Sequence, residues 1–179
     1  MMTVIDNSVK GFTELLRQSL RLPCSREAGV LLGLAILGSL GNHFSLELFF
    51  GAELMFGSIA TLIAIRISGT LWGTLIAIIV SSYTCFLLGH LCLIIIFALE
   101  AFVVGFVICC LKRKEAMFVA DVCYWLFIGV PLGWFSYAFQ FGVSEISLNL
   151  ILIKLLINGI ANVVIADLVF QFFPVKRWL

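Results

Sequence analysis

The chain is 179 residues long, with 63% hydrophobic residues, 12% charged residues and a formal net charge of +1 at pH 7. Its mean hydropathy is +1.19, and a soluble domain of this length has too little interior for so much apolar surface, so the composition indicates a membrane protein. The near-neutral charge provides no dense cationic face for nucleic acid, so we expect the lipid bilayer as the main partner and no nucleic acid.

The first predicted element is an amphipathic helix. Residues 8–22 place four apolar side chains at helical spacing, with cations on the remaining face. Such a helix is expected along the inner membrane surface. We therefore predict that residues 1–27 form a cytoplasmic amphipathic segment and that residues 28–179 form a transmembrane domain.

Six apolar runs follow, and each is predicted to cross the membrane. Continuous apolar runs without period-two alternation favour helices over a β-barrel, because backbone polar groups in lipid need partners within the segment. Gly129, Pro131 and Gly133 predict a kink in the fifth run. The predicted fold class is an all-α membrane protein, a bundle of six transmembrane helices. The predicted crossings are residues 28–40, 54–67, 71–88, 91–111, 118–139 and 148–173, with residues 42–53 as the first outer turn.

Lysine and arginine are confined to alternate turns. Of the 11 Lys and Arg residues, nine lie before the first run, in a predicted inner turn or after the last run, and Arg66 lies at the inner end of the second run, which leaves only Lys154 deep within a run. This positive-inside pattern predicts a multi-pass protein of the bacterial cytoplasmic membrane, with both termini in the cytoplasm. Trp72, Trp125 and Trp178 lie near the predicted inner boundary, and we expect them to be interfacial anchors.

Polar residues recur on one face of the sixth run. An ionisable residue inside lipid costs at least about 2.5 kcal/mol on insertion scales, so residues that are retained are paired or functional. Lys154, Asn158 and Asn162 repeat every four residues, which places them on one helix face directed into the bundle. We call these three residues the polar seam.

Two interpretations of the polar seam are open. The seam joins helices, with Lys154 paired to Glu100 at a similar depth, or it lines an outer cavity that binds a small polar ligand or ion. The residues predicted to bind that ligand are His43, Glu53, His90, Glu100, Lys154, Asn158 and Asn162.

A second polar group is predicted at the cytoplasmic side. Arg66, Asp121 and Asp167 each lie near the predicted cytoplasmic end of a run, so an arginine flanked by two aspartates forms an inner latch. Its functional version is a switch that reports on the outer site. No nucleophile elbow, phosphate-binding glycine loop or zinc motif occurs, so we expect neither an enzyme nor a cofactor or metal site.

Most of the chain from Phe50 onward resembles a family of bacterial N-terminal six-transmembrane sensor modules. These input modules precede extracytoplasmic ligand-binding, histidine kinase or diguanylate cyclase domains. The likeness is carried by residues 50–90 (FGAELMFGSIATLIAIRISGTLWGTLIAIIVSSYTCFLLGH), 94–106, 121–135 and 154–170. The positions on which it places weight are Gly57, Arg66, Gly69, Trp72, Gly73, His90, Glu100, Lys154, Asn158 and Gly159.

The layout of six spans, with a glycine and tryptophan turn at residues 69–73, also resembles the S components of energy-coupling factor vitamin transporters. The first resemblance implies a sensory input module that binds a small ligand in its outer half and relays a signal to a cytoplasmic or downstream output domain. Its expected partners are the unknown ligand and a homodimer or a downstream signalling domain. The second implies a substrate-binding subunit that docks on transport-module subunits. A membrane scaffold without a ligand is the third possibility.

Overall fold

The computed structural model of the protein describes residues 22–44, 46–49, 52–89, 91–113, 116–140 and 145–172, with the backbone alone described at 46–49, 52, 53, 87, 88 and 140. Within these ranges seven α-helices, two π-helical turns and one β-hairpin follow one another. The elements are α1 (Ser25–His43), β1 (Leu46–Phe49), β2 (Ala52–Leu54), α2 (Gly57–Ser68), α3 (Thr70–Leu88), α4 (Cys92–Leu111), α5 (Met117–Tyr124), the π-turn Trp125–Gly129, α6 (Val130–Phe135), the π-turn Ser136–Gln140 and α7 (Glu145–Phe172).

The π-turns join α5 and α6 into one continuous rod over residues 117–140, so the described residues form six helical rods. Three stretches, Cys92–Leu111, Met117–Phe139 and Glu145–Phe172, are long and apolar enough to cross a membrane. The apolar helix α2 has 12 residues, which at 1.5 Å per residue makes it about 18 Å long, well short of the roughly 30 Å of bilayer hydrocarbon.

The surface of the described residues is strongly apolar, and the interior holds polar side chains beside a hydrophobic core. Large apolar side chains point outward, with Phe86 at 86% exposure and Phe127 at 75%, whereas carboxyl, amide and hydroxyl groups are buried. An exposed apolar surface of this kind is stable in lipid, and the polar interior must then be satisfied by internal hydrogen bonds. The buried polar residues are Asn42, Ser58, Thr61, Thr70, Ser81, Thr84, Glu100, Asp121, Asn158 and Asn162.

A single residue, Gly69, connects α2 to α3 and makes them a helical hairpin. Its φ of 91° is a conformation that side-chain-bearing residues rarely adopt. Four residues later, Gly73 lies against Ile65 of α2, and a Cβ at this position would collide with that side chain. The short connection and the close approach of the two helices therefore depend on this pair of glycines.

The two ends of the bundle differ in their content of lysine and arginine. Four of the five described cations lie at helix termini on one side, which we call the basic end, and these are Arg26, Arg66, Lys112 and Arg113. The fifth, Lys154, lies within α7. The opposite side, where the β-hairpin connects α1 to α2, is called the hairpin end. Because successive rods alternate in direction, this separation follows from the alternation of cations along the chain.

The fifth rod contains a π-turn next to the position where a kink is predicted. The π-turn Trp125–Gly129 precedes Pro131, and Val130 N donates to Trp125 O, five residues back. Proline cannot donate a backbone hydrogen bond, and its ring crowds the preceding turn, so a widened turn accommodates it. Two π-turns replace regular α-helical turns in this rod, and the helix remains continuous over residues 117–140.

The predicted helical fold is confirmed for the described residues, which add one short β-hairpin to it. Its strands pair antiparallel, with Leu46 opposite Leu54 and Glu47 opposite Glu53. The first outer turn is thus largely a hairpin, and the second helix begins at Gly57 instead of residue 54. The predicted amphipathic helix at residues 8–22 lies outside the described residues except for Leu22.

Candidate functional site

Residues 55–58 join the hairpin to α2, and we call them the 55–58 junction. The backbone of Met55 is held by two side chains of α7. Met55 N donates to Asn158 Oδ1 at 2.8 Å, and Asn162 Nδ2 donates to Met55 O at 2.8 Å. Two members of the polar seam therefore satisfy both polar groups of one residue that no helix or strand satisfies.

A third asparagine fixes the next residues of the junction. Asn42, near the end of α1, accepts from Gly57 N at 2.7 Å and donates to Thr84 Oγ1 of α3 at 2.7 Å. Gly57 has no room for a Cβ, which would collide with the Asn42 amide and lie 2.5 Å from Val80 Cγ1. The start of α2, which has no side-chain cap of its own, is thus capped from a neighbouring helix.

Glu100 lies at the centre of the interior and is only 1% exposed. Its Oε2 accepts from Ser58 Oγ at 3.1 Å, and its Oε1 accepts from Trp125 Nε1 at 3.0 Å. Glu100 is therefore satisfied by these neutral donors, and the predicted ion pair with Lys154 is not what holds it. Lys154 is half-buried on α7.

Trp125 reaches Glu100 because a glycine makes room for it. The indole is completely buried and packs against Gly159 of α7, where a Cβ would collide with Nε1. Trp125 was expected to be an interfacial anchor, and this prediction is wrong, because the side chain lies in the core. Trp72 is half-buried near the basic end, and Trp178 lies outside the described residues.

Asp121 does not belong to the inner latch in which it was predicted to lie. It is 0% exposed and lies within hydrogen-bonding reach of the Glu100 carboxyl group. The hydrogen bond from Tyr124 to Ile96 O, at 2.6 Å, sets α5 against the middle of α4. The fifth rod therefore begins deeper in the bundle than its sequence position suggested, and Asp121 is in the interior, away from Arg66.

The remaining part of the latch is present. Arg66, at the end of α2, forms an ion pair with Asp167 of α7, and their side chains are 10% and 21% exposed. The Arg66 guanidinium also lies over the ring of Phe170, 4.9 Å from its centroid, which adds a cation–π contact. The observed latch is therefore the pair Arg66 and Asp167, which connects α2 to α7 at the basic end.

The other predicted ligand-binding residues are not all in the same place. His43 is exposed at the hairpin end, where its Nδ1 lies 2.8 Å from Tyr83 Oη. Glu53 belongs to β2, where the backbone alone is described, and His90 lies outside the described residues. Of the predicted set, Asn158 and Asn162 meet at the junction, and Glu100 adjoins it through Ser58.

The cavity at this site is small. A space of about 10 Å³ is lined by Asn42, Met55, Ser58, Thr61, Ala77, Val80, Ser81, Phe97 and Asn158, which is room for about one water molecule. An open cleft of about 290 Å³ lies at the basic end, beside Arg66, Trp72 and Lys112. Among the described residues, no group of three His, Cys, Asp or Glu side chains could hold a metal ion.

Sequence reasoning missed the residues that connect these groups. Ser58 and the backbone of Met55 bear no chemical signature, and Asn42 was recognised only as part of a polar turn. A pattern of asparagines at helix ends facing a short helix is the one signal that could have pointed to the junction. Comparison of the chain with protein-family models, with curated proteins and with solved structures finds no match.

Proposed function

We propose that the protein is a membrane-embedded sensory input module that binds a small polar solute at the 55–58 junction. The observation that carries the proposal is the pair of hydrogen bonds at Met55, whose N donates to Asn158 and whose O accepts from Asn162. A solute that presents one donor and one acceptor can replace the Met55 backbone on these amides without a net loss of hydrogen bonds. The ligand class is therefore a small molecule with an amide-like donor and acceptor.

Binding requires the junction to move. Typical small-molecule pockets have volumes of about 300–1,000 Å³, whereas the space beside Met55 is about 10 Å³. In our proposal the junction occupies its own binding site in the described arrangement, which is the closed one. A ligand shifts the equilibrium towards the open state only by its higher affinity for that state.

A chain of contacts leads from the junction to the last helix. Ser58 donates to Glu100, Glu100 accepts from Trp125, and Trp125 packs against Gly159 of α7. Displacement of the junction would change the hydrogen bond from Ser58 to Glu100. It would thereby also change the packing of the Trp125 indole against Gly159 of α7. We propose that this movement is the signal relayed to a cytoplasmic or downstream output domain.

The proposed location is the bacterial cytoplasmic membrane, with multiple crossings and the basic end in the cytoplasm. Support comes from the grouping of four of the five described cations, Arg26, Arg66, Lys112 and Arg113, at that end. Cys24 is exposed there, so in a variant with Cys24 as its single cysteine, an impermeant thiol reagent should label it only after cells are permeabilised. Labelling in intact cells would contradict the orientation.

The alternative is the S component of an energy-coupling factor transporter, which the layout of six helical rods with a polar site near one end favours. An S component would bind its solute in the same way as a sensory module, but its partner would be a transport module instead of an output domain. Release of bound solute on addition of transport-module subunits and ATP would support this alternative, and would contradict relay to an output domain.

Thermal unfolding of the purified chain in nanodiscs tests the binding step. We would screen amino-acid amides, dipeptides, nucleobases and vitamins, since a ligand at 100 times its Kd stabilises the bound state by about 2.7 kcal/mol. Asn158→Ala should abolish the stabilisation by an active compound. Asn149→Ala, an exposed position on the same helix, should retain it.

Two outcomes of the screen would contradict the proposed site. If none of these compounds stabilises the chain, the amide-like ligand class is wrong. If a compound stabilises the wild type and Asn158→Ala equally, it binds elsewhere.

A further inference from the structure

Two carboxyl groups meet in the centre of the bundle without a cation between them. Glu100 of α4 is 1% exposed and Asp121 of α5 is 0% exposed, and each lies within hydrogen-bonding reach of the other. We call Glu100 and Asp121 the carboxyl pair. Charged groups so deeply buried are normally paired with an opposite charge, so this arrangement needs a physical explanation.

The nearby donors are unevenly distributed over the pair. Ser58 and Trp125 each donate to one oxygen of Glu100, and the hydroxyl group of Tyr124 donates to Ile96 O. Neither Oδ1 nor Oδ2 of Asp121 receives a hydrogen bond from any described residue. This fully buried side chain, to which no described residue donates, is an observation independent of the proximity of the two acids.

We propose that the carboxyl pair binds one proton, which is carried by Asp121 and donated to Glu100. Two ionised carboxylates in contact would repel each other strongly in the low dielectric of the interior. A single proton removes one negative charge and supplies the missing donor. The assignment to Asp121 follows because Glu100 already accepts two hydrogen bonds and a carboxylate can accept a third.

Among the described residues, no cation contacts the carboxyl pair. The titratable group nearest in sequence to Asp121 on α5 is Tyr124, whose neutral hydroxyl group is already committed to Ile96 O. On α2 the cation Arg66 is paired with Asp167 at the basic end. On α7, Lys154 lies five residues before Gly159, about 7.5 Å further towards the hairpin end.

The bound proton is linked to the 55–58 junction through Glu100. Loss of the proton would place two like charges in contact and push Glu100 away from Asp121, against Ser58 and Trp125. Occupation of the proton site is thus coupled to the position of the first turn of α2. The inference rests on the buried acids alone and stands whether or not the junction binds a solute.

Infrared spectroscopy of the full chain in nanodiscs at neutral pH tests the proposal directly. A protonated carboxylic acid has a C=O stretching band separate from that of carboxylates, and the band shifts in D₂O. The sequence contains three aspartates, Asp6, Asp121 and Asp167, so ¹³C-labelling of aspartate carboxyl groups should shift the band. A chain without the band, or a band that follows labelled glutamate instead, overturns the proposal.

Substitutions locate the proton and distinguish it from a sodium ion. Asp121→Asn should remove the band while its amide N–H replaces the donor to Glu100, and its melting temperature should stay within about 3 °C of the wild type. The matched variant Asp167→Asn should retain the band. If the band survives in Asp121→Asn, or if the wild type gains it only when sodium is replaced by choline, the site does not bind a proton as proposed. Should Asp121→Asn fail to fold, the wild-type isotope and cation experiments decide the question by themselves.

Discussion

Asp121 and Asp167 are the same residue type on two neighbouring rods, and their charges are accommodated in opposite ways. Asp167, near the basic end, is 21% exposed and pairs with Arg66. Asp121, in the interior, is completely buried and faces another carboxyl group. The comparison indicates that the depth of an aspartate in the bundle determines what neutralises its charge. Near the boundary the desolvation cost of an ion pair is small enough for Arg66 to pair with Asp167. In the centre the carboxyl groups rely on neutral donors and, in our proposal, on a proton.

The largest effect should come from a substitution that disturbs the centre without changing any charge. In Gly159→Ala the new Cβ collides with Trp125 and forces the indole away from Glu100. Overpacking costs about 1–3 kcal/mol, and a lost hydrogen bond to a charged group costs about 1.5–3 kcal/mol. We expect a loss of at least about 3 kcal/mol in the free energy of unfolding, measured in detergent, with a shift in tryptophan fluorescence.

Gly33→Ala is the matched control, because nothing lies within 4 Å of a Cβ at Gly33. It should leave stability unchanged or slightly improved, since alanine is the better helix former. If both glycine variants behaved alike, the indole would not depend on Gly159 for its position.

A smaller effect should separate the two aspartates. Asp167→Asn leaves Arg66 with a neutral partner, and we expect a loss of about 1–2 kcal/mol, because the partial exposure of Asp167 limits the cost. The same substitution at Asp121 should change stability much less, since an amide replaces a protonated acid there. Parallel unfolding curves of the two variants in one detergent test the contrast, and equal losses would refute it.

The smallest effect is expected at the exposed hairpin end. Tyr83→Phe removes the hydroxyl group that lies 2.8 Å from His43 Nδ1. Water can replace this contact because His43 is exposed, so the change in unfolding free energy should be below about 0.5 kcal/mol. A loss comparable to that of Asp167→Asn would show that the hairpin end is as tightly coupled as the basic end.

The sequence predicted features that depend on periodicity and charge. The four-residue spacing of the polar seam correctly placed Asn158 and Asn162 inside the bundle, where they are 4% and 1% exposed. The pairing of Arg66 with Asp167 is also confirmed. The first depends on local helix geometry, which a single sequence specifies well, and the second on the alternation of cations along the chain, which places both residues near the predicted cytoplasmic side.

The sequence could not predict features that depend on the relative depth of two rods. Asp121 was assigned to the boundary because its run was assumed to start there, whereas side-chain packing places α5 deeper. In the sequence Trp125 resembles an interfacial anchor, because the space that Gly159 leaves for its indole is seen only in the structure. The hairpin was missed because its short strands lie between helices and pair with each other alone.

The shortness of α2 has a consequence for biogenesis in the proposed membrane arrangement. Twelve residues that include Arg66 supply too little apolar length for independent entry into the bilayer. Gly69 folds α2 directly onto α3, so the two helices would partition together as one unit during translation. A glycine with positive φ would thereby govern insertion at the ribosome as well as the packing of the finished bundle.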